Sequence, residues 1–148
     1  MTAATSAGSR ADTVGARTKA RKRALDILFE SDQRGLPVAE TLTARQEASA
    51  APLNPYTVTL VEGVEGHRAE IDEAITTYSA GWPLDRMPAV DRTIIRIGVF
   101  ELRHVDEVPD AVALSEAVSL ARELSTDESP SFVNGVLAKI ASQPAKTD

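Results

Sequence analysis

The sequence has no cysteine and few aromatic residues, with one Trp, two Tyr and three Phe among 148 residues. The lack of cysteine excludes disulfide bonds, iron–sulfur clusters, thiolate zinc sites and thiol nucleophiles. No apolar run approaches the roughly 20 residues that a membrane-spanning helix needs, and residues 1–16 lack the apolar stretch of a signal peptide. We therefore expect a cytoplasmic protein with no membrane partner.

Constellations of catalytic or metal-binding residues are also nearly absent. His67 and His104 are far apart in the sequence, and neither has a carboxylate at the spacing of a metal-binding motif. Gly63 and Gly66 resemble a fragment of a phosphate-binding loop, but close helix packing explains them better because no lysine follows. We expect no catalytic residues, no metal site and no cofactor.

Charge is distributed unevenly along the chain, whose net charge is -6. Residues 1–23 hold six basic side chains and one acid, whereas residues 24–148 hold ten basic and 21 acidic ones. Five of the positive charges lie between Arg17 and Arg23. A basic segment of this density is the electrostatic footprint of a surface that binds a polyanion.

Apolar residues recur at helical spacing, and no stretch alternates with the period of a strand. The pattern predicts an all-α domain of about six to seven helices over residues 17–142, between a disordered tail at 1–16 and a flexible C-terminus at 143–148. The predicted helices are Arg17–Arg34, Val38 to about Ser49, Pro55–Ser79 with Asn54 as its N-cap, a central buried helix at Ala89–His104, and two amphipathic helices marked by Ala113–Leu124 and Val133–Ile140.

The basic segment is interleaved with an aromatic residue. On a helical wheel Lys19, Lys22, Arg23 and Phe29 lie away from the stripe of Ala20, Ala24, Ile27 and Leu28. A phenylalanine beside lysines offers a nucleobase a stacking surface next to partners for phosphate. The same pattern also fits a solvated charged helix whose Phe29 packs on a neighbour, and the residues alone leave both interpretations open.

Two charged residues break the pattern of their own helices. Arg21 lies near the apolar stripe of the first helix, and Glu101 lies on the apolar side of the central helix. We predict a direct salt bridge between them, because each alone would be a costly buried charge. The alternative is that Arg21 extends to solvent and Glu101 bonds another group. Three arginines on an arc of the central helix, Arg92, Arg96 and Arg103, are expected to pair with acids of adjacent helices.

Specific sequence blocks resemble the NusB family of transcription antitermination factors. They are Phe132-Val133-Asn134-Gly135-Val136-Leu137, the run from Glu116 to Leu124, Ala24 to Phe29, and the central helix from Val90 to Leu102. The likeness extends over about residues 17–140. Thr18 interrupts the family's arginine cluster, and the segment from Gly81 to Pro88 follows no pattern of the family.

The resemblance implies an all-helical fold of two small bundles packed together, without catalytic activity. It also implies partners. Family members pair with NusE, a small-subunit ribosomal protein, and the pair binds single-stranded boxA RNA in nascent transcripts such as ribosomal RNA leaders. Other Nus factors and RNA polymerase join them in a larger complex.

The resemblance also implies site residues, and to these we add Lys22 and Arg23, the basic residues that the helical wheel places beside Lys19. The expected RNA-binding residues are Arg17, Lys19, Lys22, Arg23, Phe29, Tyr78, Glu128, Ser129 and Phe132. The expected NusE-binding residues are Asp91, Arg92 and Ile95 of the central helix.

Two other functions stay open at the level of sequence. One is a helical scaffold that binds only protein and uses its basic segment for solubility. The other is a NusB-like module of the kind found at the front of some RNA methyltransferases, for which a catalytic domain would be needed in addition. A homodimer that covers the RNA-binding face is a further alternative for the free protein.

Overall fold

Seven α-helices and one short 3₁₀ helix make up residues 6–143, which are the residues that the computed structural model describes, with side chains described from Gly15 onward. This part of the chain contains no strand, which confirms the all-α prediction. None of its helices has the length and apolarity required to cross a membrane. The helices are α1 Ser6–Arg34, α2 Val38–Ala48, α3 Pro55–Gly66, α4 Arg68–Tyr78, α5 Ala89–His104, α6 Asp110–Leu124 and α7 Ser129–Ala141, with the 3₁₀ helix at Leu84–Arg86.

The chain divides into two compact units, and the boundary falls inside α3. The N-terminal unit, Met1–Val61, holds α1, α2 and the first part of α3. The C-terminal unit, Glu62–Asp148, holds the remaining helices. Each unit has its own set of buried apolar side chains.

In the N-terminal unit, the start of α3 is attached to α1 by side-chain hydrogen bonds. The amide oxygen of Asn54 accepts a hydrogen bond from the backbone N–H of Tyr56 at 2.8 Å, which confirms Asn54 as a cap of this helix. The Thr57 hydroxyl donates to the backbone carbonyl of Ala20 at 3.1 Å. The predicted apolar stripe of α1 is buried at Ala20, Ala24, Ile27 and Leu28.

The C-terminal unit is built around α5, whose bounds agree with the predicted central helix. Every residue from Thr93 to Glu101 is buried. Gly98 lets α7 approach, because a Cβ there would lie 2.7 Å from Leu137 Cδ1. A Cβ at Gly63 would overlap the ring of Phe100. Glycine therefore permits close helix packing at both positions.

The first helix begins earlier than predicted. α1 starts at Ser6, whereas the sequence indicated a start near Arg17 after a disordered tail at 1–16. Extending an existing helix adds one hydrogen bond for each residue fixed, so a nucleated helix grows into flanking sequence of only moderate propensity. Residues 1–5 of that predicted tail, and 144–148 of the predicted flexible C-terminus, lie outside the described residues.

The prediction of one helix over Pro55–Ser79 is wrong, because the structure has two helices there. The break is at His67, whose φ of -114° and ψ of 22° leave the helical region. Gly66 just before it has no packing role, since a Cβ there would meet nothing within 4 Å. Its weak helix propensity instead favours an end to α3 at this point.

Substitution of the two glycines of α3 should therefore give opposite results. We expect Gly63→Ala to lower the free energy of unfolding by about 1 to 3 kcal/mol, since the new methyl group overlaps the Phe100 ring. Gly66→Ala is the matched control, and it should be neutral or raise stability by up to about 1 kcal/mol. Urea unfolding measures both, and equal effects of the two substitutions would contradict the packing described for Gly63.

Candidate nucleic-acid interface

Three of the four predicted RNA-binding cations of α1 lie on a shared exposed face. Lys19, Lys22 and Arg23 are exposed, and we call these three residues the basic face. Lys19 and Arg23 also line a cleft of about 350 Å³ between α1 and the segment that leads into α3. The cleft is completed by small and polar residues, among them Ser49 and Asn54. It thus combines two exposed cations with a concave surface.

Arg17 and Arg21 differ from the basic face because both contact the ring of Tyr56. The Arg17 guanidinium lies 4.3 Å from the ring centroid, and that of Arg21 lies 5.7 Å away. A cation over an aromatic face is attracted by the ring quadrupole. Arg17 is half-buried, while Arg21 has only 3% of its surface exposed. The prediction that Arg21 lies inside the protein is therefore confirmed.

Glu101 is likewise buried, with 1% of its surface exposed. Its predicted place on the apolar side of α5 is confirmed. The direct salt bridge between Arg21 and Glu101 stays a prediction, since the two residues belong to different units.

The acids that follow the basic face on α1 are bound by Arg45 of α2. Arg45 contacts Glu30 at 2.7 Å and Asp26 at 3.6 Å. Hydrogen bonds from two arginines lower the pKa of Glu30 below its ordinary value, and Arg45 has a larger effect than Arg34. These pairs offset the negative charges nearest to the basic face along the helix.

Aromatic side chains are partly exposed in both units, among them the expected RNA-binding residues Phe29 and Phe132. Phe29 is half-exposed on α1. In the C-terminal unit, Phe132 packs on Trp82 with ring centroids 4.8 Å apart, and Tyr78 is half-buried. Trp82 is itself 41% exposed. Sequence reasoning missed Trp82, although an isolated Trp in a turn segment is a signal for a partly exposed aromatic surface.

A turn with left-handed backbone places Trp82. Ala80 and Gly81 have φ values of 58° and 80°, a conformation that glycine adopts without strain. The Ser79 hydroxyl donates to the backbone carbonyl of Trp82 at 2.8 Å and closes the turn. The segment from Gly81 to Pro88, which fits no family pattern, therefore has a defined local structure.

Two of the three predicted NusE-binding residues are buried. Asp91 has 2% of its surface exposed, and its carboxylate accepts hydrogen bonds from the hydroxyls of Ser125 and Ser129. Ile95 is fully buried. Arg92 is half-buried and donates to the backbone carbonyls of Leu84 and Met87. The turn between α6 and α7 supplies the polar partners of Asp91, and the roles of Asp91 and Ile95 in NusE binding stay predictions.

The two predicted RNA-binding residues at the start of α7 have different environments. Glu128 is exposed. Ser129 is buried, and its hydroxyl donates to the Asp91 carboxylate at 2.9 Å. The Ser129 hydroxyl also lies 3.0 Å from the Ser125 hydroxyl. The Ser129 side chain therefore has a structural partner inside the unit, and its role in RNA binding stays a prediction.

The predicted arginine pairs of α5 are confirmed for two of the three arginines. Arg96 forms a bidentate ion pair with Asp72 of α4, with hydrogen bonds of 2.8 and 3.1 Å. Arg103 lies 3.8 Å from Glu70 of α4. Glu70 also joins His67 and His104, whose rings stack with centroids 3.9 Å apart. No sequence signal indicated that these two histidines meet.

Loss of the Asp91 carboxylate should destabilise the protein. Asp91→Ala removes the carboxylate that accepts from the hydroxyls of Ser125 and the buried Ser129, and we expect a loss of about 1 to 3 kcal/mol in the free energy of unfolding. Asp127→Ala, which removes an exposed acid of the same turn, is the control and should cost much less. Urea unfolding compares the two variants. A loss for Asp91→Ala no larger than that of the control would contradict the role assigned to this carboxylate.

The sequence of this chain is similar to those of NusB proteins. The model of the NusB family matches residues 18–142. The transcription antitermination protein NusB of Kineococcus radiotolerans is 59% identical over 128 residues, which cover 86% of this chain and 94% of that protein. The protein of the same name from an Arthrobacter species is 58% identical over 127 residues, covering 86% and 93%.

Solved structures agree with this likeness. T. maritima NusB superposes with a TM-score of 0.79 at 27% identity, covering 88% of this chain and 93% of that one. A crystal structure of the antitermination factors NusB and NusE in complex with double-stranded RNA gives a TM-score of 0.74 at 27% identity, covering 85% and 96%. The chain belongs to the NusB family.

Proposed function

We propose that this protein is a non-catalytic transcription antitermination factor. Together with NusE it binds single-stranded boxA RNA in nascent transcripts such as ribosomal RNA leaders, in a cytoplasmic complex with other Nus factors and RNA polymerase. Its relatives carry the name of transcription antitermination proteins. A structural neighbour was captured with NusE and RNA, which supports both kinds of partner.

The basic face of α1 is the observation that carries the RNA-binding part of the proposal. Lys19 and Arg23 are one helical turn apart, so they offer two cations about 6 Å apart along the helix. Both line the same cleft. Phosphate contacts by Lys and Arg supply most of the affinity for nucleic acid, largely without regard to sequence. Arg17, held over Tyr56, adds a fourth cation to this region.

Aromatic residues are proposed to supply the base contacts. Phe29 lies on the same helix as the basic face and is half-exposed, so a base can stack on it. Phe132 and Tyr78 are proposed in the same role on the C-terminal unit. Glu128 is exposed there and can accept a hydrogen bond from a base amino group.

NusE is proposed to contact the N-terminal part of α5. The half-buried Arg92 is the predicted contact residue that reaches the surface. Asp91 and Ile95, which are buried, would act by fixing the position of this helix and of the α6–α7 turn.

Cooperation with NusE also follows from the charge of the chain. The net charge of -6 disfavours general attraction to RNA, while the basic face attracts it locally. RNA binding by such a protein gains specificity when a partner contributes further contacts.

Single substitutions on the basic face should change the salt dependence of RNA binding. Lys19→Ala, Lys22→Ala and Arg23→Ala should each weaken binding of boxA RNA in the presence of NusE. Each should reduce the slope of log affinity against log salt by about 0.7, the value for one phosphate on a single strand. Lys139→Ala, an exposed cation of α7, is the control and should leave the slope unchanged. Unchanged slopes for all three variants would remove the basic face from the RNA site, and no RNA binding at all would favour a scaffold that binds only protein.

Phe29 should matter for RNA affinity but little for folding. Stacking of a base on an aromatic side chain contributes roughly 1 to 3 kcal/mol, so Phe29→Ala should weaken boxA binding by at least about fivefold. Phe29→Tyr keeps a ring and should retain most of the affinity. The melting temperature should barely change in either variant, since Phe29 is half-exposed. A large drop in melting temperature for Phe29→Ala would show that the ring is structural.

A further inference from the structure

Three side chains with metal-binding atoms converge in the C-terminal unit. His67 lies at the break between α3 and α4, Glu70 lies in the first turn of α4, and His104 is the last residue of α5. Their ligand atoms all lie within 4.8 Å of one another. Two of these residues are near neighbours in sequence, but the third is brought in by the packing of α5 on α4.

The distances within this cluster are close to those between ligands of one metal ion. Glu70 Oε1 lies 3.4 Å from His67 Nδ1 and 3.1 Å from His104 Nε2. Tetrahedral Zn²⁺ with bonds of about 2.0 to 2.1 Å holds its ligand atoms roughly 3.3 Å apart. No two of the three ligand atoms are more than 4.8 Å apart. The imidazole nitrogens therefore need to move closer by no more than about 1.5 Å to reach the tetrahedral separation. Both histidines are exposed enough for such rotamer adjustments.

The surroundings of the cluster hold the three side chains close together. The His67 and His104 rings stack on each other and lie 5.9 and 5.6 Å from the Phe100 ring, which forms an apolar floor. Arg103 lies 3.8 Å from Glu70 Oε2, which is also 3.2 Å from His104 Nε2. A second partner on a ligating carboxylate orients it, and such partners are common around metal sites.

A cation can reach the cluster from solvent. Glu70 and His104 line an open cleft of about 350 Å³ in the same unit, together with Asp106 and Asp110. These carboxylates offset the positive charge of Arg103, which lines the cleft as well. The acidic residues favour the approach of a divalent cation.

We propose that His67, Glu70 and His104 form a binding site for a divalent transition-metal ion, with Zn²⁺ as the preferred ion. Two imidazoles and a carboxylate are ligands that suit Zn²⁺, and they leave a fourth position for water. The bound ion links the α3–α4 corner to the C-terminal end of α5 and stabilises the C-terminal unit. Sequence spacing led to the opposite expectation, of no metal, because it could not show that His67 and His104 are adjacent.

Titration of the metal-free full-length chain with ZnCl₂ tests the proposal, with calorimetry and thermal unfolding as readouts. We expect one saturable site and a melting temperature raised by about 5 °C or more at a hundredfold excess of Zn²⁺ over its dissociation constant. His67→Ala, His104→Ala and Glu70→Gln should each weaken binding at least about tenfold, because each removes one of three ligands. Glu73→Gln removes an exposed acid of the same helix and should bind Zn²⁺ like the unaltered chain.

Nuclear magnetic resonance of the unaltered chain gives a readout that does not depend on the folding of a variant. The chain has two histidines, so their ring signals are easily distinguished from the rest. Zn²⁺ should shift both sets of ring signals together, while Mg²⁺, which prefers oxygen ligands, should shift neither. No saturable binding in calorimetry, unshifted histidine signals, or undiminished binding by a His67→Ala/His104→Ala double variant would overturn the proposal.

Discussion

The burial of α5 is the constraint on which the C-terminal unit depends. From Thr93 to Glu101 every side chain of this helix is buried, including two that carry charge. A buried charge is tolerated only when hydrogen bonds and counter-charges satisfy it inside the protein. Arg96 is therefore matched by Asp72 of α4, and Asp91 just before this stretch is matched by serines of the α6–α7 turn. These partners fix the positions of α4 and α7 around the central helix.

The same requirement separates the basic residues into two groups with different uses. Arg21, Arg45 and Arg96 contact aromatic or acidic side chains within their own units. The basic face of α1 consists of exposed cations, two of which line a cleft. In an acidic chain, exposed cations that are gathered on one helix face are the natural place for a polyanion to bind. The antitermination function proposed here follows from this separation and from membership of the NusB family.

Local signals in the sequence were sufficient for most of the helices. The apolar content of Ala89–His104 predicted the bounds of α5, and the pair of Asn54 and Pro55 predicted the start of α3. The break at His67 carries no proline, and only the backbone conformation shows it. Environments that depend on distant residues could not be predicted. The burial of Asp91 depends on serine partners more than 30 positions away, and the meeting of His67 with His104 depends on the packing of α4 against α5.

The most direct test of the account is to locate boxA RNA on the protein by nuclear magnetic resonance. Isotope-labelled chain would be titrated with a boxA oligonucleotide, and with a scrambled oligonucleotide of equal length, in the presence of unlabelled NusE. We expect boxA RNA to produce its largest amide shifts in α1 from Lys19 to Phe29, and the scrambled RNA to produce smaller shifts there at the same salt concentration. Binding of boxA RNA that leaves these amides unchanged, or an equal response to both oligonucleotides, would contradict this expectation.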